Sequence, residues 1–360
     1  MIYSLGIDIA KDKFDACLIA CRLTEQTQQV MARKTFKNIS SGFKACMRWA
    51  RRHGSSEKSL RVTIEATGTY YEPLALFIDE HHPGGHLAVV LPSKSKKYIQ
   101  SRGLRSKTDK IDARGLALMG AERKLPAWKG IDPFWRELRA LTRTRGRLMD
   151  QRTALRNQLH ALNHGGMNAA ESKESLQAVI EALNAEIDKL TSSIYSKLRA
   201  CKHLQQPIDC LKSIPGIGRL TIAAVLAETN GFDAFESISQ LISFSGYDVV
   251  IQKSGKWTGK PKISKQGSSY IRRAMFMPAS TVVRSGDGPT AELYQRLVAK
   301  HNVKMKAHVA VQKKLLRYMY VLWNKKESFD PDHIRSLQAH HKNVAPPEGE
   351  ATVDTSQAAA

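Results

Sequence analysis

The sequence predicts an α/β domain at the N-terminus followed by a mostly helical remainder. Three observations carry that reading. Short apolar runs bounded by turn residues fill the first 92 positions and then alternate with helical patterns, a layout of strands and helices in one sheet-based domain. Leucines recur every seven residues from 141 to 162, and a second helical pattern follows them. Beyond residue 205 the apolar spacing is mainly that of helices.

In order, residues 2–9 (IYSLGIDI) read as a strand ending near Asp8, and 14–20 as a second strand after a Lys-Asp-Lys turn. Residues 33–38 read as a third strand, at the sheet edge. Residues 40–52 read as a helix that Ser40 or Ser41 can cap. A strand over 60–65 ends in Glu65, a helix covers 70–80, and a strand over 86–91 is closed by Pro92. A basic segment from Ser93 to Lys107 leads to a helix from 109 to about 120, with Thr108 as its N-cap.

Composition narrows the function classes. The formal net charge of +23 over 360 residues points to nucleic acid first and an anionic membrane second. No apolar run reaches the length of a membrane span, and early acids interrupt the N-terminus as a signal peptide. The five cysteines (17, 21, 46, 201, 210) form no CxxC and no zinc-like spacing, so they read as free thiols of a reducing cytoplasm.

The stretch Arg105-Ser106-Lys107-Thr108-Asp109-Lys110-Ile111-Asp112-Ala113-Arg114 puts two carboxylates three apart on one helix face. Arg105, Lys107, Lys110 and Arg114 surround them with positive charge. Carboxylates can hold a divalent ion while the cations hold phosphate. Alone, the pattern is equally an ordinary solvated helix start. Asp8 and Glu65, also at strand ends, change the balance: four carboxylates from three elements can meet where an α/β sheet places its functional groups. That is the arrangement of a ribonuclease-H-like, two-metal phosphoryl-transfer site.

Residues 134–162 carry Leu141, Leu148, Leu155 and Leu162, with Leu138 and Leu159 in the other seam position and Arg145 and Arg152 between them. After Gly165-Gly166 a second helix bears Leu176, Ile180, Leu183, Ile187, Leu190 and Ile194, which predicts a helical hairpin or coiled coil. It either packs within one protomer or joins two. Arg143, Arg147, Arg156 and His160 on the first arm can also meet nucleic acid. Ile214-Pro215-Gly216-Ile217-Gly218 between two apolar helices has the pattern of a helix-hairpin-helix, whose glycines let backbone N–H groups approach phosphate; a plain helix–helix turn fits it too.

Residues 246–277 gather Lys253, Lys256, Lys260, Lys262, Lys265, Arg272 and Arg273 around Ser254. A serine among cations is a phosphate ligand or cap in one reading. In the sharper one it is a nucleophile whose phosphoryl transition state the cations stabilise. No sequence neighbour of Ser254 can serve as its base, so the activator has to come from elsewhere, and the acids are the available group. Residues 291–324 read as basic and helical, and the stretch from about 340 as a disordered tail.

GIDIAKDKFD, IEATGTY, SKTDKIDA, SIPGIG and QKSGKWTGKPKISKQGSSYIRRA, in that order over about 320 residues, resemble the motifs of the DEDD transposases of insertion-sequence family 110, also called bridge-RNA-guided recombinases. The resemblance implies a RuvC-like domain over 1–125, a coiled-coil connection over 130–200, a C-terminal transposase domain over 205–330 and a tail over 340–360. It puts the four acids on Asp8, Glu65, Asp109 and Asp112, holding Mg²⁺, and the nucleophile on Ser254. It implies target and donor DNA as substrates, a structured non-coding guide RNA as a required partner, homo-oligomeric assembly, no membrane, and a prokaryotic cytoplasm with nucleoid association when active. Three other readings remain at this point. A ribonuclease-H-like nuclease such as a Holliday-junction resolvase would use the acids without Ser254. An actin-like ATPase or sugar kinase would need further Gly-rich phosphate loops. A non-catalytic nucleic-acid-binding protein would leave the acids idle.

Overall fold

The computed structural model describes residues 2–336 apart from 23–26, 54–59, 83, 104–107, 166–168, 256 and 333–334. Arg105, Lys107, Gly166, Lys256 and the predicted tail from 340 therefore lie outside the described residues. The chain divides into two compact units, Met1–Gly130 and Ile131–Ala360.

The first unit is built on a five-stranded mixed sheet in the order β3-β2-β1-β4-β5. Its strands are β1 (Ile2–Ile9), β2 (Lys13–Arg22), β3 (Thr27–Lys37), β4 (Leu60–Glu65) and β5 (His86–Val90). The first three form an antiparallel meander, and β4 and β5 continue it in parallel from β1. β3 starts six residues before the predicted strand, because the whole length of β2 pairs with it.

Strand alternation gives the sheet two covered faces. Leu5, Ile7 and Ile9 face helices α1 (Ser40–Arg52) and α2 (Glu72–His81), where Phe14, Phe36, Phe43 and Met47 fill the core. The expected serine cap of α1 does not form: Ile39 takes the cap position and no side chain caps the helix. Pro92 does close β5, but it also opens helix α3 (Pro92–Ser101), so most of the basic segment is helical. Proline at the first helical position loses no hydrogen bond there. Helix α4 (Asp109–Glu122), with Thr108 accepting from Ile111 N as predicted, covers the other face over Cys17, Ile19 and Ile99.

In the second unit α5 (Pro133–His164) and α6 (Ala170–Ala200) run antiparallel. Rungs join Glu137 to Lys197, Arg145 to Thr191 and Arg152 to Asn184. The two arginines inside the leucine seam are thus accommodated by polar partners on the facing helix. Ile180, Ile187 and Ile194 of α6 are buried, and the lower ends of both helices (Trp135, Leu138, Ile194, Leu198) are part of the unit's single core.

Most of the rest of that core, with Leu204, Ile214, Ile217, Phe232 and Tyr247 added from the connections, comes from six further helices among the described residues. They are α7 (Gln205–Lys212), α8 (Arg219–Thr229), α9 (Ile238–Phe244), α10 (Ser269–Ser285), α11 (Pro289–His301) and α12 (Lys304–Lys325). The basic stretch over 291–324 is helical as predicted and forms two helices, parted at Asn302, which adopts the left-handed conformation. Among the described residues four two-residue strands interrupt the helices. β6 (Val249–Val250) pairs with β9 (Lys262–Ile263), and β7 (Lys253–Ser254) with β8 (Trp257–Thr258). No described helix is long and apolar enough to cross a membrane.

Candidate active site

The acidic cluster follows from how closely α4 approaches β1. Ser4, Gly6 and Asp8 alternate onto the α4 face. A Cβ on Gly6 would stand 2.1 Å from the Ala113 carbonyl and the Ala117 nitrogen, so only glycine lets the helix backbone lie there. Ser4 Oγ donates to the Ala117 carbonyl at 2.6 Å. With α4 pinned at that point, its first turn, bearing Asp109 and Asp112, comes beside Asp8. Glu65 ends β4, the parallel neighbour of β1, and alternates onto the same face.

Electrostatics show that these groups share one environment. Asp8 is pushed up from an ordinary carboxylate value to about 7, first by burial and then by the charges of Asp112, Glu65, Asp109 and Asp15. Asp15, which sequence reasoning did not single out, lies directly across the β1–β2 ladder from Asp8, is buried, and accepts from Thr35 Oγ1 at 2.5 Å. The signal that would have found it is alternation: it falls on the α4 side of β2.

The all-carboxylate donor set has the chemistry of a hard divalent cation site. The close convergence expected of the four acids is not reached, however: among the described residues no three His, Cys, Asp or Glu side chains form a group that could hold a metal. Both Glu65 oxygens are engaged, by Ser95 Oγ at 2.5 Å and Thr67 Oγ1 at 3.0 Å, and Asp109 is exposed. Like charges favour rotamers that spread them apart. Beside the acids a cavity of about 360 Å³ is walled by Asp15, Arg33, Lys34, Thr35 and Lys110. Arg114 is half-buried, and its Nε lacks a hydrogen-bond partner among the described residues.

Ser254 lies in a different setting, in the second unit. It is not in a featureless loop but ends β7, opposite Trp257 on β8, and is exposed. Of the other serines in this basic region, Ser269 is exposed at the start of α10, while two are committed. Ser264 Oγ donates to Asp248 at 2.5 Å, and Ser268 caps α10 by accepting from Ile271 N. The hydroxyl of Ser254 has no hydrogen bond among the described residues. Lys253, Lys260, Lys262 and Lys265 of the same segment are exposed.

Other predicted contacts divide. Arg272 donates to the carbonyls of Ser245, Gly267 and Ser268, bracing the start of α10. Arg273 makes a two-pronged pair with Asp150 of α5 at 2.5 and 2.6 Å. Arg143 is paired with the buried Glu228 at 2.7 Å and lies 4.3 Å from the centre of the Tyr270 ring. These three cations hold the unit together in this structure. Gly216 has φ +79°, and a Cβ there would meet the Pro278 carbonyl at 2.7 Å, so packing against α10 already requires glycine. Gly218, before the first turn of α8, faces open space.

Comparison with known proteins adds the following. Residues 5–163 match a family model described as a transposase of the IS110 DEDD type, and residues 208–295 one described as "Transposase IS116/IS110/IS902 family". The chain is 31% identical to the pilin gene-inverting protein of Moraxella bovis, over 91% of this chain and 97% of that protein. It is 23% identical to the transposase for insertion sequence element IS1111A of Coxiella burnetii, over 90% of each. A solved structure of Thermus thermophilus RuvC aligns over 32% of this chain and 92% of its own, at 11% identity and a TM-score of 0.26.

Proposed function

Because the chain belongs to the IS116/IS110/IS902 family of transposases, enzymes that recombine DNA, we propose that it cuts and rejoins the DNA of an insertion sequence through a covalent serine link. In this reading Asp8, Glu65, Asp109 and Asp112 form its acidic site and Ser254 is its nucleophile. The N-terminal unit is then a ribonuclease-H-like, RuvC-like domain; the order of its mixed sheet and the strand-end acids support that. The observation that carries the reading is the gathering of carboxylates around Asp8, whose own carboxyl is raised to about 7 by burial first and by those neighbouring charges second. Packing alone gains nothing from like charges gathered at the end of a buried sheet.

Asp8, Glu65, Asp109 and Asp112 would hold Mg²⁺, which would supply charge neutralisation at the phosphate. Ser254 Oγ attacks the phosphorus; the Oγ–P bond forms, the P–O bond to the leaving strand breaks, the hydroxyl proton passes to a base, and the departing oxygen takes up a proton. The exposed lysines of the hairpin are placed to bind flanking phosphates. Because the hairpin carries no base of its own, the serine stays a poor nucleophile until one is supplied from outside it.

A structured guide RNA is the partner that best accounts for a net charge of +23, more than a short DNA contact requires. Leu148 and Leu155 are only half-buried, and Val179 is exposed, which supports association of the long helix pair with a second copy. The test is capture of the DNA adduct on a denaturing gel, with mapping of the modified peptide. An adduct mapping to Ser254 supports the proposal. Strand cleavage with no adduct at any stage favours a resolvase-like nuclease instead. Co-purification of only random RNA fragments removes the guide, and a strictly monomeric active enzyme in sedimentation removes the assembly.

A further inference from the structure

Trp257 is out of place as a structural residue. Trp49, Trp135 and Trp323 each meet another aromatic ring, and Trp128 packs on the N-terminal core. Trp257 is 58% exposed and has no ring partner among the described residues. It belongs to a hairpin with two paired residues on each strand, too small to bury an indole. Solvating that much apolar surface is unfavourable, and folding recovers none of it.

Its position is nevertheless fixed. Ser254 and Trp257 are direct cross-strand partners, so their side chains leave the hairpin on the same face, with Cβ atoms about 5 Å apart. At Gly259 a Cβ would stand 2.7 Å from the Cη2 of the indole, so the ring lies against bare backbone that any other residue would obstruct. Gly259 N donates to the Gln252 carbonyl at 2.9 Å and ties that backbone across the hairpin. Val249 and Ile251 at the hairpin's base are 57% and 58% exposed, and Lys253, Lys260 and Lys262 are exposed around them. A solvent-facing indole on a segment rich in exposed lysines is the combination that binds an unpaired nucleic-acid strand: the ring stacks on a base and the cations take the phosphates.

We propose that Trp257 is the stacking platform for the DNA base next to the phosphate that Ser254 attacks, which sets the register of the strand on the serine. This rests on the assignment of Ser254 as nucleophile. The indole takes part in no bond change. It positions the strand, and since every base has a π-face it does so with little sequence preference.

The test uses the full-length protein and a short, mixed-sequence single-stranded DNA. Intrinsic tryptophan emission should be quenched on binding, and W257F should abolish that share of the quench while binding within a few-fold of the parent. W257L keeps apolar bulk without a strong π-face. It should bind about 5- to 150-fold more weakly, as lost base stacking predicts, with an unchanged slope against salt because the lysines remain. Inorganic polyphosphate, which has no bases, should not quench. Equal quenching by polyphosphate, or W257L binding like the parent, overturns the proposal. So does quenching by an RNA of the same sequence with none by the DNA. Ser254→Ala should leave the quench intact. If it removes the covalent adduct while W257L leaves DNA binding untouched, the platform fails and the nucleophile stands. If the adduct survives Ser254→Ala, the nucleophile assignment fails, and the quench with W257F and W257L still decides the stacking.

Discussion

Asp8 ends a strand paired on both sides and roofed by a helix, whereas Ser254 ends a two-residue strand with a single partner and solvent over it. The carboxylates are placed by a buried core: Gly6 and Ser4 hold α4 to the sheet at Ala113 and Ala117, just beyond its first turn. The serine is placed by a few backbone hydrogen bonds on a small basic hairpin. A charged cluster can be held against its own repulsion only by a scaffold with stability to spare. A nucleophile that must reach a phosphate gains from the opposite construction, with little burial and low local stability.

The sharpest way to break that comparison is to remove the reactive atom from each region. Asp8→Asn should lower strand cleavage by on the order of 10³-fold or more, the scale for loss of a group that stabilises transition-state charge, with DNA affinity nearly unchanged. Ser254→Ala should lose the covalent adduct completely and at most about 1–3 kcal/mol of binding. Gel-resolved cleavage and filter binding measure both. A Ser254→Ala protein that still forms the adduct would move the nucleophile elsewhere.

Next in size is the cost to the fold. Gly6→Ala forces a methyl group into the backbone of α4 and should destabilise the N-terminal unit by about 3 kcal/mol or more. Glu228→Ala removes the buried carboxylate that accepts from the partly exposed Arg143 and should cost the second unit about 1–3 kcal/mol, the range for losing a charge-assisted hydrogen bond. Trp257→Ala, by contrast, should stay within about 0.5 kcal/mol, as surface changes do. Urea melts of the three variants test the ranking, and a large loss in Trp257→Ala would make the hairpin a structural element.

A smaller effect follows from Asp8. Its folded-state value near 7 lies above the ordinary carboxylate value of 3.8, so the native state holds that proton more tightly than the unfolded chain does. The resulting stability is complete below about 4 and is lost as pH rises through about 7. Thermal melts without divalent ions should therefore decline across that window in the parent and less in Asp8→Asn. Mg²⁺ should flatten the decline, because a bound cation favours the ionised form. An Asp8→Asn profile parallel to the parent's would remove Asp8 from the account. Smallest of all, Lys260→Ala and Lys262→Ala should each lower the salt slope of DNA binding by about 1, uniformly across sequences.

Much of the first unit was legible in the sequence. The strands from Ile2, Leu60 and His86 and the cap at Thr108 are local patterns of apolar alternation and turn chemistry, and the structure reproduces them. What the structure adds there has local causes too: Pro92 both ends a strand and begins a helix, and Asn302 divides the basic helical stretch in two. In the basic region the sequence reads lysines and arginines alike as nucleic-acid contacts, and the structure leaves Lys253, Lys260, Lys262 and Lys265 exposed while it engages three arginines within the fold. Arg143, Arg272 and Arg273 are each claimed by a partner more than 20 residues away, or by carbonyls that only the folded loop presents.

The sequence by itself determined that an α/β unit precedes a helical one, that acids stand at strand ends, and that Ser254 sits among cations. Those properties follow from residue type and spacing, which act over a few positions along the chain. The tertiary structure alone decided that Asp15 joins the cluster around Asp8 and that Gly216 serves the packing of α10. It also decided that Ser264 and Ser268 are occupied while Ser254 faces solvent beside an unburied indole. Each of these depends on which distant backbone comes to rest against which side chain, and that is set by the burial of the core as a whole.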